Sequence, residues 1–476
     1  MSKKYIIGID EGSQSAKISI FDLKGNIICE GRESLRPYDL PEPGLVEHPD
    51  DDWWDAICVA SKRCMEKFTG NKEDILGVGL CTIRYCRAYL KADGTLAQPA
   101  LSWMDIRVSK PYEHTNPDVK YITASSGYIT HRLTGERKDT IANYEGGWPV
   151  DVDLWKWSDD PKAYEETNMP REMLFDLVMP GEILGYITDD ASKATGLPKG
   201  LLVVATSNDK AVEGLGTGCR GEKKACISLG TYTAAMMEGK ENLKDTSYVW
   251  PKFSCEPNKY LYDSNGIRRG MWTVSWFRDI LGESYEKMAK EQGLSAEDFL
   301  NKEAEGVPPG CDGLMTVLDW LAPVDARYKK GIMIGFDGRH TRAHMYRSIL
   351  EAVVMTMKRH VDDMANELGV TLDEIIITGG GSNSDIFMQI FADVFQIKAV
   401  RNEVNGAASL GSAICVAVAV KAYNSFDEAV DKMVRIKDEF LPNPKNTEIY
   451  HKIINVYQDI TKQTDPILKR SYEIFK

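Results

Sequence analysis

The chain has 476 residues, which at roughly 100–200 residues per domain implies two or three domains and a large buried core. Its composition is 43% apolar, 27% charged and 9% aromatic, which excludes a disordered or fibrous chain, and no apolar run approaches the ~18 residues a spanning helix needs. The formal charge of -13 would repel a phosphate backbone, so no nucleic-acid partner is expected, and without a spanning run no membrane is expected either.

Met1-Ser2-Lys3-Lys4 runs straight into a strand-like segment without a leader's apolar stretch, which predicts a cytoplasmic protein. Ten scattered cysteines with no CxxC pair predict reduced, mostly buried thiols. Tyr5 to Ile9, Lys17 to Phe21 and Ile27 to Glu30 read as three antiparallel strands joined by the turns Asp10 to Ser15 and Asp22 to Asn26. Pro49 and Asp50-Asp51-Asp52 then start an amphipathic helix reaching about Phe68, and Ile75 to Cys81 reads as a strand. Leu201 to Thr206 is a wholly apolar strand of the kind buried on both faces, followed by a helix over Ala211 to Leu215.

The opening theme then returns as Ala225 to Leu229, the turn Gly230 to Thr233, and Ala234 to Met237. This weak internal repeat predicts two related domains, 1–215 and 216–422, in intimate contact around a cleft that takes the ligand. A helix over Tyr346 to Leu368, a buried strand Glu374 to Thr378, the turn Gly379-Gly380-Gly381-Ser382 and a helix from about Asp385 follow. Residues 423–476 are charged and read as a helical appendage.

Three strand-to-turn junctions carry the chemical signal. Asp10 with Gly12 and the hydroxyls of Ser13 and Ser15 offers backbone N–H groups for phosphate oxygens and a carboxylate for Mg²⁺; the competing reading is a plain hairpin. Gly230-Thr231 repeats that chemistry, and Gly379 to Ser382 sets a ligand at a helix N-terminus. Asp209 ends a buried strand and, beside Asn208, reads equally as a helix cap. Gly216-x-Gly218-x-x-Gly221 follows a helix rather than a strand, which is the wrong order for a dinucleotide turn, and no P-loop motif occurs. His340 and His344 lack a third ligand and read as a solvated face; Trp148, Trp155 and Trp157 stay unassigned.

In their joint order these junctions resemble the FGGY carbohydrate kinases, along with Trp53-Trp54, Trp103-Met104-Asp105-Ile106-Arg107, Arg132-Leu133-Thr134-Gly135 and Asp209. The resemblance implies an α/β fold of two ribonuclease-H-like domains of the actin and Hsp70 ATPase type. It implies transfer of a phosphoryl group from ATP, with Mg²⁺ at Asp10, to a hydroxyl of a small sugar, sugar acid or polyol, with Asp209 as general base. Gly12, Ser13, Gln14, Lys17, Gly230, Thr231, Gly270, Ser275, Gly380, Gly381 and Ser384 would meet the nucleotide. Arg84, Tyr85, Trp103, Asp105 and Lys210 would line the sugar site. Where xylulose kinases carry Gln-Met-His-Gly this chain has Ile83-Arg84-Tyr85-Cys86; Arg84 resembles the arginine of glycerol kinases, and Lys210 stands where relatives have Asn or Gln. The connection from Arg107 to Leu133 is short for the family. The cations Arg84 and Lys210 motivate an acidic substrate, unless Lys210 pairs with Glu213 or touches phosphate. The competing readings are a xylulose kinase proper and a non-catalytic, nucleotide-dependent regulatory relative, and a homodimer is left open.

Overall fold

A computed structural model describes residues 4–323 and 326–475; Met1, Ser2 and Lys3, on which the expected absence of a leader partly rests, lie outside them. The opening run forms β1 (Tyr5–Glu11), β2 (Ser15–Asp22) and β3 (Ile27–Ser34), an antiparallel meander. Its second turn is fixed by Gly25 at φ 77° and by the Asp22 carboxylate, which accepts the backbone N–H groups of Lys24 and Asn26. After α1 (Asp52–Lys67), strands β4 (Ile75–Thr82), β5 (Ile183–Tyr186) and β6 (Leu202–Asn208) complete a six-stranded sheet in the order β5-β6-β4-β1-β2-β3. Strands β1, β4 and β6 are parallel neighbours, and their nearly unbroken apolar runs are what burial on both faces requires. Helix α2 (Asp209–Gly216) leaves directly from the end of β6.

The same arrangement is then built again. Strands β7 (Lys224–Leu229), β8 (Thr233–Gly239), β9 (Trp250–Phe253) and β10 (Tyr260–Ile267) pair antiparallel. The chain runs through α3 (Gly270–Glu291), α4 (Ala296–Ala304) and α5 (Arg342–Leu368) before β11 (Glu374–Thr378) joins parallel to β7. Helix α6 (Asp385–Phe395) leads to β12 (Lys398–Asn402), parallel to β11. With the later edge strand β13 (Ile436–Phe440) the order is β9-β10-β8-β7-β11-β12-β13. The weak sequence repeat is therefore a repeat of topology: a meander, two parallel strands and an antiparallel edge.

One helix, α7 (Ala407–Ala419), joins the halves. A Cβ on Gly8 of β1 would lie 2.0 Å from the Ser409 oxygen, one on Gly79 of β4 2.3 Å from the Ser412 oxygen, and one on Gly411 1.9 Å from the Val212 oxygen of α2. Only glycine permits this approach of backbone to backbone. The resulting apolar cluster holds Ile6 and Val204 of the first sheet, Cys226 and Ile376 of the second, and Leu410 and Ile414 of α7.

The tail is not the appendage its charge suggests. Strand β13 extends the second sheet beside β12, and α8 (Pro444–Ile474) lies along α5, where the Tyr450 hydroxyl donates to Glu351 at 2.8 Å. Arg435 bonds Asn26 in the first meander at 2.8 Å. The last two contacts join residues 99 and 409 positions apart, so local charge could not show them. No helix among the described residues is long and apolar enough to cross a membrane. All ten cysteines are free thiols, nine of them buried.

His48 offers a test of the first half's packing. Its ring lies 4.6 Å from that of Trp53 and 4.9 Å from that of Tyr38, it is 1% exposed, and neither ring nitrogen has a hydrogen-bond partner among the described residues. Burial holds its pKa down at about 4. The unfolded chain protonates near pH 6.5, so His48 stabilises the fold fully above that pH and loses its contribution as pH falls toward 4, by on the order of 3 kcal/mol. His48→Phe should flatten the decline in urea midpoint between pH 6.5 and 4.5; an unchanged slope would refute the assignment.

Candidate active site

The carboxyl ends of β1 and β6, on either side of β4, bring two acids to one edge of the first sheet. Register sets Asp10 opposite Cys81 and Asn208 opposite Thr82, so the two strands end at one level. Asn208 is the cap of α2: its side chain accepts the N–H groups of Lys210 and Ala211 at 3.1 and 3.0 Å, and its amide donates to the Ala142 oxygen. This removes the capping role from Asp209. Among the described residues the Asp209 carboxylate, 27% exposed, accepts only the Lys210 N–H, at 3.0 Å.

Burial raises the pKa of Asp209, against the pull of Arg84 and Lys210. Burial and then the charge of Asp209 push Asp10 up to about 6, with Lys17 opposing. Glu11 lies on the opposite face of β1, fully buried with both oxygens unpartnered, and burial pushes it well above the usual carboxylate range.

The sugar-side residues divide. Tyr85, at φ 63°, and Trp103, 43% exposed, line a cavity of about 340 Å³ together with Cys86, Arg87, Val108 and Trp148. Arg84 sits beside Asp209, its Nε 4.0 Å from the carboxylate, and its Nη1 forms a 2.8 Å ion pair with Asp263 on β10. Asp105 must be corrected. Its side chain is wholly buried and braces the wall, accepting from the Val46 N–H at 2.7 Å and from the Arg107 backbone and guanidinium. Lys210 is also committed, to Glu213 at 2.8 Å and to Ser228 of β7 at 2.8 Å. The pairing with Glu213 therefore holds, and the argument for an acidic substrate loses both its cations.

On the second half, three glycine turns converge. Gly270 donates to the Thr231 oxygen at 2.9 Å and Met271 to the Gly230 oxygen at 3.2 Å, which staples the β7–β8 turn to the start of α3. Gly379, at φ 88°, sits where a Cβ would lie 2.5 Å from the Leu229 oxygen, and one on Gly381 would meet Leu229 and Met271. A Cβ on Gly380 would meet nothing within 4 Å, so the turn is open at that residue. Ser275 lies on α3, and Ser384 caps α6 while donating to Asn301 at 2.9 Å. In the first half, Gly12 closes its turn on the Ser15 oxygen at 3.1 Å, the Ser13 oxygen accepts from Tyr38, and the Gln14 oxygen accepts from Leu35. Lys17 pairs with Glu30 at 2.8 Å and reaches the Gly406 backbone at the start of α7.

Among the described residues no group of three or more His, Cys, Asp or Glu is arranged to hold a metal. His340 and His344 instead bond the Cys311 oxygen and cap α5 through Thr341. Mg²⁺ needs only one or two carboxylates beside substrate phosphates. Asp10, half-buried at the end of β1 next to the Gly12 turn, offers a carboxylate of that kind.

The sequence reading missed Asp263 and Glu145. Glu145 accepts from the Phe253 N–H at 2.5 Å and lies 3.9 Å from Lys252, and burial pushes its carboxyl up to about 7. Neither acid belongs to a turn or motif that would have singled it out.

Family models for the N-terminal and C-terminal domains of the FGGY family of carbohydrate kinases match residues 5–120 and 225–420. The uncharacterized sugar kinase YgcE of Escherichia coli K12 is 56% identical over 475 residues, covering 100% of this chain and 96% of that protein. The xylulose kinase of Rhodospirillum rubrum has the same fold, with a TM-score of 0.82 at 21% identity over 98% of this chain and 100% of that one. So does the gluconate kinase of Lactobacillus acidophilus, with a TM-score of 0.84 at 17% identity over the whole of both chains.

Proposed function

This chain belongs to the FGGY family of carbohydrate kinases, and from that premise we propose that Asp209 is the general base of its phosphoryl transfer from ATP to a carbohydrate hydroxyl. The observation that carries this reading is the position of Asp209. It is relieved of capping by Asn208, bonded among the described residues only to the neighbouring N–H, and 4.0 Å from the Arg84 Nε.

In this reading residues 1–215 supply the acceptor side and residues 216–422 the nucleotide side. The acceptor hydroxyl rests between Tyr85 and Trp103, gives its proton to the Asp209 carboxylate, and its oxygen attacks the γ-phosphorus as ADP leaves. Arg84 favours the ionised form of Asp209 that can take the proton. The open turn at Gly380 and the stapled turn at Gly230 and Thr231 supply backbone N–H groups to the nucleotide. Asp10 would hold Mg²⁺, which when bound offsets the charge of the phosphates. Ten free thiols agree with a cytoplasmic setting.

Acceptor-dependent ADP release over a panel of ketoses, aldoses, polyols and aldonates, at saturating MgATP, tests the assignment. One acceptor or a small set should raise ADP release at least about a hundredfold over the acceptor-free rate, with a phosphate ester formed in equal amount. If no acceptor does so, the chain is a non-catalytic relative and the proposal fails.

A further inference from the structure

Among the described residues, the cations around the acceptor site are committed. Lys210 pairs with Glu213, Lys252 lies 3.9 Å from Glu145, and Arg107 pairs with Glu47 and Asp105. Arg87, which lines the cavity, is 1% exposed and gives its Nη hydrogens to the backbone oxygens of Arg107, Val108, Lys110 and Gly147. Arg84 is the cation nearest the proposed base, and its partner comes from the other half of the molecule. Asp263 of β10, 13% exposed, reaches it at 2.8 Å. The contact is an ion pair without an aligned hydrogen bond, because Arg84 Nη1 is buried and makes none. Charge rather than hydrogen-bond geometry therefore holds the guanidinium there.

We propose that Asp263 is a specificity-determining residue that occupies Arg84 and so excludes acceptors carrying a carboxylate. An aldonate entering this site would find no unpaired cation and would face Asp209, Asp263 and Glu145 together. Leaving a buried charge unpaired is a strong means of rejection, stronger than a loose fit. An uncharged polyol or sugar pays no such cost, since its hydroxyls can bond to Asp209, Arg84 and Tyr85 as donors and acceptors. The inference rests on the acceptor site proposed above, but it concerns charge at that site rather than the chemistry of transfer.

The test uses matched pairs that differ only at the carboxylate: glycerol with D-glycerate, xylitol with D-xylonate, and D-glucitol with D-gluconate. For the best-used pair the wild-type kcat/KM should favour the neutral member at least tenfold. Asp263→Asn keeps the shape of the side chain and removes its charge. It should shrink that ratio at least tenfold, mainly by lowering KM for the acid, whereas Asp263→Glu should preserve it. Preference of the wild type for the acid would overturn the proposal. So would an Asp263→Asn enzyme in which both members fall alike, because that is what a merely structural role produces. Calorimetric binding of the same pairs to wild-type protein without nucleotide reads the charge preference without phosphoryl transfer. A failed kinase assignment and a failed charge assignment are thereby distinguished, and equal binding of acid and neutral member overturns the latter.

Discussion

Asp209→Asn should leave ATP binding unchanged and lower acceptor phosphorylation by about 10²- to 10⁴-fold, the range a positioned general base contributes. The substitution preserves size and the ability to accept the Lys210 N–H, and α2 keeps its cap because Asn208 provides it. Folding and nucleotide affinity therefore report separately from chemistry, the first by thermal melt and the second by calorimetry. The pH profile adds a further check. Burial lifts Asp209 above the ordinary carboxylate range while Arg84 and Lys210 restrain the rise. The carboxylate must be ionised to accept the proton, so the wild-type rate should fall on an acid limb that begins above the usual Asp titration. In Asp209→Asn the part of the limb set by Asp209 should be lost, leaving only what Asp10 contributes. Turnover within tenfold of wild type would remove Asp209 from the reaction.

Much of this edge could be read from the residues in order. The strands Tyr5 to Ile9 and Leu201 to Thr206 announce themselves by composition, and their polar ends place Asp10 and Asp209 because a parallel strand presents its carboxyl end to the ligand. The turn at Gly379 was legible for a similar reason, since a strand running into three glycines needs a backbone that side chains would block. Asp105 shows the limit. The spacing Trp-x-Asp-x-Arg gives the residue types but not the direction of the carboxylate, and here Val46 and Arg107 take it up. Lys210 was ambiguous because Glu213, one helical turn on, is a local partner that competes with any ligand. Asp263 was invisible for a different reason: its partner Arg84 lies in the other half of the chain, and only the docking of the two halves creates the pair.

That docking is also where the largest effect on stability is expected. Gly411→Ala ought to help by local propensity, since alanine exceeds glycine in a helix interior by roughly 1 kcal/mol. The crossing of α7 over α2 reverses the sign. A Cβ at Gly411 would stand 1.9 Å from the Val212 oxygen, 2.7 Å from its carbonyl carbon and 3.1 Å from the Gly216 nitrogen. All three are backbone atoms, so no rotamer change can relieve the overlap and the helices must separate. The cost of such overpacking is about 3 kcal/mol, well above the propensity gain. Separation would not be silent, because α2 begins with Asp209, and α7 also rests on β1 at Gly8, on the same face as Asp10. Gly411→Ala should therefore lower the urea midpoint and, in the molecules that remain folded, lower kcat more than it raises KM for ATP. A variant as stable as wild type, or more stable by the propensity increment, would mean that the two helices do not cross in backbone contact and that the two acids are held together by something else.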